Sequence, residues 1–231
     1  MVNFDELFEK WENKYKVEAF IKDGIVDEGY YEDPHVLFVL RDMNYDKACD
    51  LREDLRIRGS GWKTWNNVGR WVKALLDNDK CYPADMSTEK RVEQLRRIAV
   101  MNLKKAGGSS RANGIDLELA VKTQYVEIMS EIQLCSPDII ICCGLSAAGI
   151  TDNATLLKEN VFAETSKWGG LKSLSFNREW QYYYTNIGNK TVPVVSFCHP
   201  QVTQLEGRRG HNDLFEPLYN DMLMIRNKFI V

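Results

Sequence analysis

The stretch DIIICCG, residues 138–144, decides the fold that this sequence predicts. It is an almost wholly apolar run closed by a glycine, without the alternation of apolar and polar residues that marks a half-buried strand. Continuous apolar strands of this kind belong to parallel sheets that helices cover on both faces. The rest of the chain therefore has to supply further buried strands and the helices that cover them.

Other segments of the chain fit that expectation. Further strands are predicted at HVLFVL (35–40), IAVMNL (98–103) and TVPVVSF (191–197). A fifth, WQYYYT (180–185), is expected to pair antiparallel to the last of these through a short turn that contains Gly-Asn. Apolar residues recur at helical spacing in residues 4–15, 65–77, 87–97 and 115–135, and in a tail helix over 214–229 that we expect to be irregular near Pro217.

The alternation of strands and helices predicts the fold class. Strands that alternate with helices give an α/β protein, here a three-layer α/β/α sandwich with a mostly parallel central sheet. No repeat, low-complexity tract or linker divides the chain. We therefore expect a single domain over residues 1–231, with its core at about residues 36–202 and a helix at each end.

Composition and charge narrow the class of protein. The chain has 44% hydrophobic residues and a net charge of −3, as ordinary soluble globular proteins do. Its acidic N-terminus has no signal-peptide pattern, and the apolar run from Ile139 is too short to cross a bilayer. We therefore expect a cytoplasmic monomer without a membrane partner. Residues 41–111 hold 16 Lys and Arg against 10 Asp and Glu, which favours one face that could meet phosphates.

The six cysteines do not indicate a metal centre. None of them forms a C-x-x-C pair, and Cys142 and Cys143 lie side by side inside the apolar run, where small buried side chains are expected. The sequence therefore predicts no metal and no cofactor.

Polar side chains follow three of the predicted strands. The first strand ends in Arg41-Asp42-Met43-Asn44, the second in Asn102, and the last in His199-Pro200-Gln201. In open α/β sheets, ligands bind beyond the carboxyl ends of the strands. We therefore expect these groups to lie around one site.

These strand ends, in this order, resemble the three motifs of the uracil-DNA glycosylase superfamily. The matching segments are VLFVLRDMNYD (36–46), IAVMNLKKAGGSSRAN (98–113) and SFCHPQV (196–202). The resemblance implies an Asp that orients or activates water, an Asn that binds the target base, and a His that supports the departing base. Leu40, Arg41 and Met43 replace the usual glycine and proline of the first motif, and the cysteines of the iron–sulfur branches are missing.

On this resemblance the chain is expected to be a DNA glycosylase, with DNA as its partner. It would hydrolyse the N-glycosidic bond of a flipped-out uracil or other modified base and leave an abasic site. The implied catalytic residues are Asp42 and His199. The implied base-binding residues are Asn102, Asn44, Trp65 and Trp62. The implied DNA contacts are Lys104, Lys105, Ser109, Ser110, Arg111, Gln201 and Val202.

Two other functions fit the same residues. The altered first motif and the acidic charge favour a non-catalytic module that binds nucleic acid or nucleotides. The low pI of about 5.7 also fits a hydrolase of free nucleosides or nucleotides. Each residue has a structural alternative as well, since Asp42 could cap a helix, Trp65 could be a core residue and His199 could be a hydrogen-bonded core histidine.

Overall fold

The computed structural model describes residues 3–107, 114–147 and 149–230. In these residues the strands are β1 (Ile21–Lys22), β2 (Gly24–Ile25), β3 (Val36–Leu40), β4 (Cys49–Asp50), β5 (Ala99–Asn102), β6 (Ile139–Cys143), β7 (Gly169–Lys172), β8 (Glu179–Ile187) and β9 (Lys190–Phe197). The helices are α1 (Phe4–Tyr15), α2 (Leu51–Arg58), α3 (Lys63–Val72), α4 (Thr88–Leu95), α5 (Gly114–Thr123), α6 (Tyr125–Cys135), α7 (Asn153–Asn160) and α8 (Glu216–Phe229). Short π-helical turns extend α3 over Lys73–Asp77 and precede α8 over His211–Phe215.

The main sheet has seven strands in the order β2-β5-β3-β6-β9-β8-β7. Its four central neighbours, β5, β3, β6 and β9, are parallel, whereas β2, β8 and β7 each pair antiparallel with a neighbour. Every residue of β3 and β6 is buried, which is the burial that their continuous apolar sequences predict. The antiparallel pairing of β8 with β9, and the interruption before Pro217, are as expected.

The sheet is covered by helices on both faces, so the protein is an α/β protein of three layers. Alternate residues of β3 show the two faces, because successive side chains of a strand point to opposite sides. Phe38 packs into a core with α2, α3, α4 and α8, and Leu37 and Val39 pack into a second core with α1, α5, α6 and α7. No helix within the described parts of the chain combines the length and apolarity needed to cross a membrane.

The prediction of one long helix over residues 115–135 is wrong, because the segment forms two helices, α5 and α6, that are separated at Gln124. The α1 helix docks at this break. The Nε1 of Trp11 donates to Oε1 of Gln124 at 2.8 Å, and the Tyr15 hydroxyl donates to the carbonyl of Thr123 at 2.9 Å. The Thr123 hydroxyl also donates back to the carbonyl of Leu119 at 2.8 Å, a bond that tends to bend helices. The apolar spacing alone does not contain these tertiary contacts.

The topology fixes where a ligand site is expected. The chain runs from β3 to β5 on one side and then crosses to β6 and β9 on the other. The order therefore reverses between β3 and β6, and in open α/β sheets such a switch point leaves a crevice at the carboxyl ends of the strands. Asp42, Asn102 and His199 all follow or end strands of this parallel group.

Candidate active site

A cavity of about 740 Å³ lies at the carboxyl ends of the parallel strands. Asp42 reaches it from the loop after β3, Asn102 from the end of β5, and His199 from the loop after β9. The first turn of α3 closes another side, and no side chain caps that helix at Trp62. The volume of the cavity lies within the range of about 300–1,000 Å³ that is typical of small-ligand sites. The structure thus brings the three residues together around one cavity.

His199 is held in a defined orientation by its own loop and by α3. The backbone N–H of Gln201 donates to Nδ1 of His199 at 3.1 Å, and Nδ2 of Asn67 donates to the carbonyl of Pro200 at 2.6 Å. Arg70 in turn donates to Oδ1 of Asn67 at 2.9 Å. Because Nδ1 accepts a hydrogen bond, the proton of the neutral ring is assigned to Nε2. His199 is therefore set up as a neutral donor.

The environment of His199 keeps its ring neutral. Burial, and then the charge of Arg41, lower the pKa of His199 from 6.5 to about 4. In the unfolded chain the ring would take up a proton near pH 6.5, whereas in the folded protein it does so only near pH 4. The stability contributed by the neutral ring is therefore complete above pH 6.5 and is lost as the pH falls toward 4.

We expect His199→Gln to remove this pH dependence. The wild-type protein should lose up to about 3 kcal/mol relative to the variant between pH 7 and pH 4, since one pKa unit corresponds to about 1.4 kcal/mol. Urea unfolding of both proteins at pH 7, 5.5 and 4 measures the difference directly. Parallel stability curves over this range would contradict the lowered pKa of His199.

Asp42 is a half-buried carboxyl group on the cavity wall. Burial raises its pKa, and the charges of Lys104 and Arg41 oppose that effect. Among the residues that the structure describes, no other side chain hydrogen-bonds to this carboxyl group. It does not cap a helix either, because Asp50 caps α2 and Trp62 stands at the N-cap of α3. Apart from a hydrogen bond with its own backbone, the carboxylate has no hydrogen-bond partner in the described residues, which leaves it available to a ligand or a water molecule.

Asn102 is positioned by Asp23. The Oδ2 of Asp23 accepts from the backbone N–H of Asn102 at 2.7 Å and from its Nδ2 at 3.0 Å. A carboxylate oxygen only accepts, so the nitrogen end of the Asn102 carboxamide faces Asp23. Its Oδ1 has no hydrogen-bond partner within the described ranges. The carbonyl oxygen and the second hydrogen of Nδ2 are therefore the parts of this amide that are left for a ligand.

The DNA contact predicted for Lys105 does not fit its position. Lys105 is fully buried, and its ammonium contacts the carboxylate of Asp23 and, at 2.6 Å, Oε2 of Glu131. Burial by itself would lower the pKa of Lys105, but the two carboxyl groups raise it overall. A lysine enclosed in this way cannot reach a phosphate. It supports the residue that holds Asn102 instead.

The two tryptophans predicted to stack on a base both line the cavity. Trp65 is also a core residue, only 3% exposed, and its Nε1 is buried with no hydrogen-bond partner in the described part of the chain. Trp62 is 38% exposed, and its ring lies 6.2 Å from that of Tyr45 at the cavity mouth. Trp65 thus forms a rigid wall and Trp62 an accessible rim.

The other predicted residues differ in where they lie. Asn44 and Gln201 line the cavity with exposed side chains, as the base-binding and DNA-contact predictions require. Val202 is half-buried against the core, so it is not free to enter a duplex as it stands. Lys104 is half-buried beside the cavity without lining it. Ser109, Ser110 and Arg111 lie outside the described residues.

Several residues of the site were not predicted from the sequence. Arg41 lines the cavity, and Lys63 stands at its mouth. Asn67, on α3, donates to the carbonyl of Pro200 next to His199. Asp23, between β1 and β2, accepts a hydrogen bond from Asn102. Arg41 was expected at this edge of the sheet with the other polar strand-end groups, but no role was predicted for it. Nothing in the sequence marks Asp23 or Asn67, whose partners are 79 and 133 residues away.

One group of potential metal ligands lies away from this cavity. Atoms of Asp33, His35 and Asp138 come within 4.8 Å of one another near the amino ends of β3 and β6. Both carboxylate oxygens of Asp138 are already occupied, by Lys190 at 2.7 Å and by the backbone N–H of His35 at 2.8 Å. We interpret this group as a structural ion pair.

Comparisons with protein-family models, with curated proteins and with solved structures found no match for this chain. What the cavity does must therefore be inferred from its own residues.

Proposed function

We propose that this protein is a DNA glycosylase that hydrolyses the N-glycosidic bond of a flipped-out uracil or other modified base. The observation that carries the proposal is the meeting of Asp42, Asn102 and His199 on one cavity, although 60 and 97 residues separate them along the chain. A carboxylate can act on the sugar in this reaction, and an amide and a neutral imidazole can act on the base.

The chemistry assigns each group a part. As the bond between C1′ and the base nitrogen breaks, its electron pair leaves with the base and the sugar becomes an oxocarbenium ion. The Asp42 carboxylate stabilises that cation and accepts a proton from the water whose oxygen bonds to C1′. The Nε2–H of His199 donates to the oxygen of the departing base, where negative charge develops. The base then takes up a proton from solvent.

Base recognition falls to Asn102, Trp65 and Trp62. The Oδ1 of Asn102 accepts from an N–H on the pairing edge of the base, and its remaining amide hydrogen is available to a base oxygen. Trp65 forms the rigid wall beside the extruded base, and the exposed indole of Trp62 gives that base a face to stack on, worth roughly 1–3 kcal/mol per base where it has been tested by substitution. That gain offsets part of the cost of unstacking, which is a few kcal/mol.

A second candidate is a hydrolase of free nucleosides, which needs the same catalytic groups but no DNA. This candidate is favoured by acidic residues in a groove next to the cavity. Trp62 lines both the groove and the cavity, and the groove is also lined by Asp50, Glu53 and Asp54. Asp50 pairs with Arg52 and Asp54 with Arg58, so of these three acids it is Glu53 whose charge is left to repel a phosphate backbone beside the cavity. The burial of Lys105 also removes one of the cations expected to bind DNA.

One assay separates the two candidates. End-labelled oligonucleotides that carry uracil or other altered bases are incubated with the protein and then cleaved with alkali, while free nucleosides are followed by chromatography. Release from oligonucleotides, weakened by added salt, supports the glycosylase. Release only from nucleosides supports the second candidate. Binding without release of any base would overturn both and leave a non-catalytic binding module.

A further inference from the structure

Arg41 occupies the crevice between the carboxyl ends of β3 and β6. Its Nη2 donates to the carbonyl of Leu145 at 2.6 Å. A Cβ placed on Gly144 would lie only 3.0–3.3 Å from the guanidinium atoms Nε, Cζ and Nη2, so the group rests against bare backbone. Its Nε is buried with no hydrogen-bond partner within the described residues. The guanidinium is thus fixed in place by Leu145 and Gly144, on a side chain that lines the cavity.

The negative charge that develops on the departing base would be stabilised by a positive charge, which the neutral ring of His199 does not provide. Breaking the glycosidic bond leaves a full negative charge on the base, and a neutral imidazole supplies only a hydrogen bond. The ammonium of Lys105 is enclosed elsewhere, and Lys63 is exposed at the mouth. Arg41 is half-buried and lines the same cavity as Asp42 and His199, and the charges of Asp42 and Asp152 act on it.

We propose that Arg41 supplies the positive charge that stabilises the base as it leaves, while His199 donates a neutral hydrogen bond to the same base. This inference rests on the proposed function and names the residue that makes it feasible. Burial lowers the pKa of Arg41, but a guanidinium stays charged in proteins. Because the charge is permanent, it does not depend on pH as that of a protonated histidine would.

The first test compares two leaving groups in single-turnover assays. Uracil and 5-fluorouracil are placed in otherwise identical oligonucleotides, the fluorinated base being the better leaving group. Arg41→Met is expected to slow uracil release roughly 100- to 1,000-fold, as loss of one preorganised donor does in comparable sites. The loss should be smaller for 5-fluorouracil, because its anion needs less stabilisation. Arg41→Lys, which keeps a charge, should fall between wild type and Arg41→Met.

The second test does not need catalysis. Because the charge of Arg41 helps to lower the pKa of His199 to about 4, Arg41→Met should raise that pKa, as followed by NMR titration of the ring. A purely structural role, through the bond to Leu145, predicts lower stability with an unmoved titration and equal rate losses for both bases. Either of these results overturns the inference. If the wild type releases no base from any substrate, the proposed function fails, and the titration alone decides whether the charge of Arg41 acts at His199.

Discussion

Replacing Lys105 by methionine is expected to destabilise the protein by roughly 3–5 kcal/mol, which is the usual cost of removing one partner from a buried ion pair. The substitution leaves Asp23 and Glu131 facing each other in a fully buried site without their cation. It also removes the ammonium that lies 5.1 Å from the ring of Trp11 and 5.6 Å from that of Phe8. Such a loss is a large part of the total stability of an ordinary domain.

The pH dependence of this loss identifies its cause. Burial, and then the charge of Asp23, raise the pKa of Glu131 well above its ordinary value, and Lys105 opposes the increase. Without Lys105 the folded protein binds protons more readily than the unfolded chain. The variant should therefore gain stability relative to wild type as the pH falls. Urea unfolding at pH 7 and pH 5 measures both the loss and its reduction.

Lys104→Met is the matched control. This lysine is the chain neighbour of Lys105, but it is half-buried and its ammonium has no hydrogen-bond partner among the described residues. We expect its replacement to cost much less stability than that of Lys105, because its charge acts on the half-buried Asp42 and not on a fully buried carboxylate pair. Equal losses in the two variants would mean that the buried ion pairs do not stabilise the protein.

The different burial of Lys104 and Lys105 could not be predicted from the sequence. They follow Asn102 in one polar run, and nothing in that run distinguishes them. The chain bends at Leu103 and Lys104 after β5; the N–H of Lys104 donates to the carbonyl of Arg41, and that of Ile21 donates to the carbonyl of Lys105. Lys104 is left half-buried beside Asp42, whereas the side chain of Lys105 is fully enclosed. Which one faces inward is decided by Asp23 and Glu131, which are distant in sequence.

The fold and the meeting of the three strand ends could be predicted because both follow from local patterns. A fully apolar β6 has to be covered on both faces, and the carboxyl ends of parallel strands share one edge of the sheet. The break at Gln124 could not be predicted, since it depends on contacts with α1. The hydrogen bond between Asn102 and Asp23 could not be predicted either, because the two residues are 79 positions apart and meet only in the folded chain.

Replacing Asp42 by asparagine is expected to have the largest effect on catalysis. If its carboxylate takes a proton from the attacking water, the amide cannot replace it, and base release should fall roughly 100- to 10,000-fold. Asparagine has nearly the same shape, and Asp42 has no side-chain partner within the described residues. The free energy of unfolding should therefore change little. Single-turnover release and urea unfolding of the same preparation separate the two effects.

The rate of base release is expected to fall at low pH, and this acid limb of the pH–rate profile tests the role of Asp42 more sharply than the size of the rate loss in Asp42→Asn. Burial raises the pKa of Asp42, so wild-type release should decline as the pH falls through that raised value. His199 adds no decline near its ordinary value of 6.5, since it stays neutral down to about 4. The residual activity of Asp42→Asn should lack this limb. Asp46→Asn is the control, because Asp46 is exposed in the same loop and does not line the cavity. A limb that persists in Asp42→Asn would assign the proton transfer to another group.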